Sequence, residues 1–367
     1  MRRAPRAGAG SVDEMPKQLP RMAQRQPQPS LRPPARGWRP ATGWRLAGGG
    51  LALAVLGSLA LGPALRFSAL ALNESGDPTE AAQPTQVTLP EDPSLPRLAD
   101  DRHYPLVPAD PAELAALLTA VETALRDPTT AAEQLPRLGH QQQVIYRQLS
   151  QQPAQSEAVL AALDPAWRGV AERHLAARRE FLTMQRRSRP LAALPAWRII
   201  PPAPAEELLA HYRKAAAATG IDWEVLAAIN LVETGMGRID GVSVANAHGP
   251  MQFLPTTWAQ PGVGAGDIRD PHDAIQAAAR YLVRRGGLQD IRKGLWGYNN
   301  SDYYGRAVLL YASLLRDDPQ AYIGLYHWEI HVNTVAGDLW LPVGYTQNGP
   351  ISVSAYLQQV PASGPPR

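Results

Sequence analysis

The chain has 367 residues, 45% of them hydrophobic, with 36 prolines and a formal charge of +3, a length suited to about two domains. It contains no cysteine, which excludes disulfides, thiolate metal sites and a lipid-anchored cysteine. Ten Lys/Arg against Asp13 and Glu14 lie in residues 1–46, so the rest is net acidic, and the high isoelectric point does not mark the folded part as a nucleic-acid binder.

Residues 1–45, rich in Pro, Arg, Gln and Gly with no apolar period, read as a disordered basic tail. No charged residue occurs from Leu46 to Leu65, and a helix there, at ~1.5 Å per residue, spans the roughly 30 Å of a bilayer core. Residues 46–72 are therefore expected to form a transmembrane signal-anchor, with the basic tail cytoplasmic and the chain beyond residue 72 outside the cell membrane. The alternative is a signal peptide cut near Ala71, since Ala69-Leu70-Ala71 has a small-x-small form. Residues 73–109, rich in Pro, Asp and Glu, read as a linker.

Residues 110–203 read as a helical module. Asp110-Pro111 followed by Glu113 is a helix start, and Leu114, Leu117, Leu118, Val121 and Leu125 share one face. Short helices are expected over 141–149 and 156–163, and a longer one from Asp164-Pro165 to about residue 187, with His174 on its buried stripe. No catalytic arrangement is visible here, so the module reads as support for the chain beyond residue 203.

Residues 204–316 read as a compact all-helical domain. Pro204 opens a helix closing at Gly220, and Asp222 is an N-cap for a helix beginning at Trp223. Leu226, Ile229, Asn230 and Glu233 recur at helical spacing, with Gly235 as the stop signal. Glu233 thus stands in a last turn beside an apolar stripe, where partial desolvation raises a carboxyl pKa toward the range that a general acid needs. A loop ends in His248-Gly249-Pro250-Met251-Gln252-Phe253. Asp270-Pro271 with Asp273 then starts a helix to about Arg285, a short helix over 289–297 leads to Tyr298-Asn299-Asn300, and Ser301 caps a final helix over 302–315.

Glu233-Thr234, then Gly249-Pro250-Met251-Gln252-Phe253, then Gly297-Tyr298-Asn299 resemble, in that order, the motif set of the lytic transglycosylases of the lysozyme-like (SLT) superfamily. That set runs Glu-Ser, Gly-Leu-Met-Gln, Ala-Tyr-Asn and a later Tyr. Thr234 departs from its Ser, Pro250 from its Leu and Gly297 from its Ala, and the flanking sequence is most similar to actinobacterial wall-lytic proteins. The resemblance covers about residues 204–316. It implies a lysozyme-like fold, no cofactor, peptidoglycan glycan strands as substrate, and wall-synthesis proteins as further partners. It also implies that Glu233 alone acts first as acid on the MurNAc–GlcNAc oxygen and then as base on the C6 hydroxyl, leaving 1,6-anhydro-MurNAc ends. Substrate contacts are implied for Thr234, Met251, Gln252, Tyr298, Asn299 and Tyr304, with Tyr304, rather than Tyr303, bonding the catalytic carboxylate.

Two alternatives stand beside this reading. A hydrolytic muramidase needs a second carboxylate, for which Asp240, Asp267, Asp270 and Asp273 are the candidates, the last two already explained as helix-start residues. A catalytically silent glycan-binding wall scaffold would have no need of Glu233. No zinc-type or phosphate-loop motif is present, and His327 and His331 sit in an alternating stretch that does not suit a metal site. Within residues 317–345, Tyr326, Trp328, Ile330 and Val332 alternate with polar residues ahead of Leu339–Tyr345, which predicts a β-hairpin with one apolar face. Residues 346–367 read as a frayed tail. The fold class is all-α: a lysozyme-like domain preceded by a helical module and an N-terminal transmembrane helix, and followed by a small β-hairpin.

Overall fold

The computed structural model describes residues 86–366 apart from Arg187. The tail over 1–45, the helix expected over 46–72 and the first part of the expected linker lie outside the described residues. Among the described residues no helix is long and apolar enough to cross a membrane.

Helices α1 (Pro111–Ala124), α2 (Leu135–Gln151), α3 (Pro153–Ala162) and α4 (Pro165–Met184) come first. α1 and α4 start at their Asp-Pro pairs: the Asp110 carboxylate accepts the N–H groups of Ala112 and Glu113, and Asp164 accepts that of Ala166. α2 begins six residues before the expected stretch, with Pro136 in its first turn and Leu138 and His140 buried. Gln141 Nε2 donates to the Leu106 carbonyl at 2.7 Å, and Gln143 exchanges two hydrogen bonds with the Glu329 backbone.

After strands β1 (Ala193–Leu194) and β2 (Arg198–Ile199) the chain enters α5 (Ala205–Thr219), α6 (Trp223–Thr234), β3 (Ile239–Asp240), α7 (Pro255–Trp258), α8 (Pro271–Arg284), α9 (Ile291–Asn299) and α10 (Asp302–Asp317). Asp222 does occupy the N-cap of α6, but its carboxylate pairs with Arg316 at 3.1 Å instead of capping. Pro204 is likewise an N-cap, not the first helical residue. Leu118, Ile145, Tyr146 and Leu175 of the first four helices share one hydrophobic core with Leu226, Ile229, Leu282 and Leu314, and α4 packs along α10. Residues 203 and 204 therefore mark no break between cores.

Three expectations change. From residue 86 onward the expected linker is a strap: Val87 and Leu89 pack on Val121 and Leu138, and Tyr104 packs on Val144 and Trp340. Its prolines keep it extended, while its scattered apolar residues dock it. Tyr326 belongs to a helix, α11 (Ala321–Tyr326), and the hairpin proper is β4 (Ile330–Thr334) with β5 (Gly337–Leu341), paired Ile330 to Leu341 and Val332 to Leu339. Both its faces are covered. Ile330, Leu339 and Leu341 join Leu194, Ile199, Val353 and Tyr356, while His331 and Trp340 face α2. The tail is ordered over the described residues 346–366, since β6 (Ile351–Ser352) pairs with β1 and α12 (Val353–Gln359) closes that second core.

Tyr356 is the anchor of this tail, 3% exposed against Tyr345. Tyr356→Ala is expected to cost about 3–5 kcal/mol in urea unfolding; an unchanged midpoint would mean that the tail contributes nothing to the fold.

Candidate active site

Helix α6 is buried on nearly every side, from Val225 to Leu231, by α5, α8 and α10. It ends at Gly235, whose φ of 61° favours glycine and where an added Cβ would press on the Ile330 Cδ1 methyl at 2.6 Å. Glu233 is the last-turn residue on the one side left partly open. Protein surrounds its carboxyl closely enough that desolvation pushes its pKa up to about 7 from an ordinary value of 4.5, against the smaller lowering effect of a hydrogen bond from Tyr304. That bond runs from the Tyr304 hydroxyl to Glu233 Oε1 at 2.7 Å. Burial, and then the nearby Glu233 charge, hold the Tyr304 hydroxyl far above its ordinary range, so it remains a donor. Tyr303, by contrast, is 40% exposed under the Arg306 guanidinium.

The turn over 248–253 is closed by two backbone bonds between His248 and Phe253, of 2.8 and 2.9 Å. Gly249 has φ 72° and no room for a Cβ, which would meet the Ile268 carbonyl at 1.9 Å. Gln252 is left-handed at φ 49°, partly exposed, and bonds the Gly249 carbonyl through Nε2. Tyr298, on α9, stacks parallel to Tyr304 and donates its hydroxyl to the Met251 carbonyl at 2.7 Å. The Tyr298 hydroxyl is therefore spent on the turn and does not reach for Glu233.

Thr234 and Met251 are both fully buried, which corrects the expectation that they contact substrate. The Thr234 hydroxyl donates to the Pro250 carbonyl at 2.6 Å and accepts the Gly237 N–H at 3.0 Å, and the Met251 sulfur lies 3.3 Å from Asn230 Nδ2. They shape the turn from behind. Asn299 is exposed at the end of α9, which runs two residues further than expected until Asn300 turns left-handed at φ 52°. Gly297 lies against the exposed Arg285 side chain, whose Nε would be 2.2 Å from an added Cβ and would have to shift to admit Ala.

The candidate second carboxylates are engaged elsewhere. Asp240 pairs with Arg198, Asp270 caps α8, Asp273 accepts the Asp267 N–H at 2.9 Å and Asp267 accepts the Arg269 N–H at 2.8 Å. No charged group is among the causes of the Glu233 shift. Among the described residues, Asp270, His272 and Asp273 bring metal-type ligand atoms within 4.8 Å of one another, but His272 faces Lys214 Nζ at 3.0 Å, the Asp270 carboxylate caps α8 and the Asp273 carboxylate holds the Asp267 N–H.

Residues 211–303, about a quarter of the chain, match the sequence model of the transglycosylase SLT domain. This part of the chain is an SLT domain of the lysozyme-like superfamily. No curated protein and no solved structure matches the chain. The SLT domain brings with it a peptidoglycan-acting function of the lytic transglycosylase type. Two residues inside the SLT domain had no part in the motifs: Asn230, fully buried, and Tyr212, whose hydroxyl donates to Asn230 Oδ1 at 2.8 Å. A lone Asn inside the apolar run of α6 was the available signal.

The raised pKa fixes a sign for stability. Between 4.5 and about 7 the folded state keeps a proton that the unfolded chain releases, so stability is full below the lower value and falls as pH rises through the higher one. Glu233→Gln should abolish this slope and stabilise the protein at pH 8 by about 1–3 kcal/mol, discounted because water reaches part of the carboxyl. Parallel unfolding curves for the two proteins between pH 4 and 8 would contradict the raised pKa.

Proposed function

We propose that this protein is a peptidoglycan lytic transglycosylase that cleaves the MurNAc–GlcNAc bond without water and leaves 1,6-anhydro-MurNAc ends. The observation that carries this reading is a single carboxyl, Glu233, with a pKa of about 7, a tyrosine on one oxygen and no second charged group acting on it. Hydrolysis through two carboxylates needs a partner at about 5 Å or at about 6.5–9.5 Å to attack the sugar or to activate water. One group with a pKa near neutrality serves both as acid and as base.

Tyr304 occupies Oε1, so in the neutral acid the proton sits on Oε2. Oε2 gives that proton to the glycosidic oxygen, which leaves as the hydroxyl of GlcNAc. The substrate's N-acetyl group stands in for the missing carboxylate at C1. The C6 hydroxyl then closes on C1 and returns its proton to Glu233, while the Tyr304 hydrogen bond stabilises the transient carboxylate. Gln252, partly exposed, and Asn299, exposed, are the sugar contacts in this reading. Thr234, Met251 and Tyr298 hold the turn that presents Gln252. The reading carries a location with it: the SLT domain outside the cell membrane, held by a helix over 46–72 or released after a cut near Ala71, among wall-synthesis proteins.

Digestion of purified peptidoglycan followed by mass analysis tests this directly. Anhydro ends are expected. New reducing ends would make the protein a hydrolase, and intact strands would make it a glycan-binding scaffold. Glu233→Gln should lower turnover by a factor of at least about 10²–10⁴ with the fold retained.

A further inference from the structure

We propose that Asn230 and Tyr212 are positioning residues, a buried clamp that fixes the 249–253 turn relative to the Glu233 carboxyl. As a statement about catalysis this rests on the transglycosylase reading above; as a statement about the turn it does not.

Asn230 is 0% exposed in a helix whose neighbouring residues are Val, Leu, Ala and Ile. A carboxamide in such a place costs stability unless its bonds are made, and an isosteric Leu would avoid that cost. Here the bonds are made. Oδ1 accepts the Tyr212 hydroxyl at 2.8 Å, which fixes the amide plane, and Nδ2 donates to the Pro250 carbonyl at 2.9 Å. Thr234, one turn further along the same face of α6, gives the same carbonyl a second donor at 2.6 Å. The next carbonyl, of Met251, takes the Tyr298 hydroxyl at 2.7 Å. Two consecutive carbonyls of the turn are thus captured from α6 and α9, and Pro250 itself has no N–H and a fixed φ.

The geometry links the turn to the acid by a short path. Asn230, Glu233 and Thr234 lie within five residues of one helix, so whatever ties the turn to Asn230 ties it to Glu233. The turn in its captured form holds Gln252 in a left-handed conformation at φ 49°, which a free non-glycine residue seldom adopts. Released, the turn would relax, and the sugar contacts would lose their register with the proton donor. Misplacement of that kind is costly to a reaction that depends on alignment.

The test uses the whole chain at a temperature where each variant is fully folded by circular dichroism. Asn230→Leu should lower kcat/KM on soluble glycan strands roughly tenfold, leaving the pH midpoint near 7 in place because Glu233 keeps its burial and Tyr304. Hydrogen exchange across residues 246–256 should quicken by about the same factor. Asn230→Asp separates positioning from packing. Burial keeps its carboxyl protonated at low pH, where it can donate to the Pro250 carbonyl while still accepting from Tyr212. Its kcat/KM relative to wild type should therefore recover as pH falls, whereas the Asn230→Leu ratio stays flat. Should Asn230→Leu not fold, Tyr212→Phe, which removes one hydroxyl, should show the same changes at reduced size. Wild-type kcat/KM and loop exchange in a folded Asn230→Leu, or in Tyr212→Phe if that variant stands in for it, would overturn the clamp, as would an Asn230→Asp ratio that does not change with pH. Loss of the transglycosylase reading would appear separately, as a wild-type digest without anhydro ends; the exchange comparison needs no substrate and still decides whether the turn is held.

Discussion

A single carboxyl kept short of water governs the arrangement of this molecule. Two effects act on Glu233 in opposite directions: burial favours the neutral acid and the Tyr304 hydroxyl favours the carboxylate. Burial is the larger, and the balance falls at about 7. Neither effect is available to an isolated helix. α6 must be enclosed on its other sides for its last turn to be dry, and α10 must bring Tyr304 to 2.7 Å. The proposed proton transfers in both directions follow from that balance.

Enclosing α6 takes more of the chain than the SLT domain. Its core is continuous with the first four helices, and its C-terminal end is met by the hairpin, where the Ile330 side chain packs against Gly235. The hairpin is in turn held by polar groups. His331 bonds both Asp338 and His140 at 2.9 Å, Arg147 pairs with Asp338, and Tyr104 of the strap donates to the same carboxylate. Farther from the site, Glu122 is fully buried yet bonded by Arg126, Gln142 and Tyr146. Polar groups this deep are tolerable only when they are paired and hydrogen-bonded. The helices before residue 203 are thus part of what keeps Glu233 in place.

The turn over 248–253 shows how a motif can be read correctly as a unit and incorrectly residue by residue. Met251 and Thr234 belong to the motif set, but they face inward. Gln252 is partly exposed and Asn299 exposed. A motif records which residues a site requires; it does not record on which side of the backbone each one stands.

Local features were legible from the sequence: the Asp-Pro helix starts at residues 110, 164 and 270, the Gly235 stop, the apolar stripe leading to Glu233 and the ordered motifs of the SLT domain. Each is written within a few residues, because capping bonds and helical periodicity are short-range interactions. The tertiary structure decided what depends on distant partners. Gln143 bonds Glu329, 186 residues away, and Tyr104 bonds Asp338, 234 residues away. Such bonds turned a linker into a strap and buried both faces of the hairpin. A buried polar side chain looks the same in sequence as an exposed one, and only its partner, brought in by the fold, tells them apart.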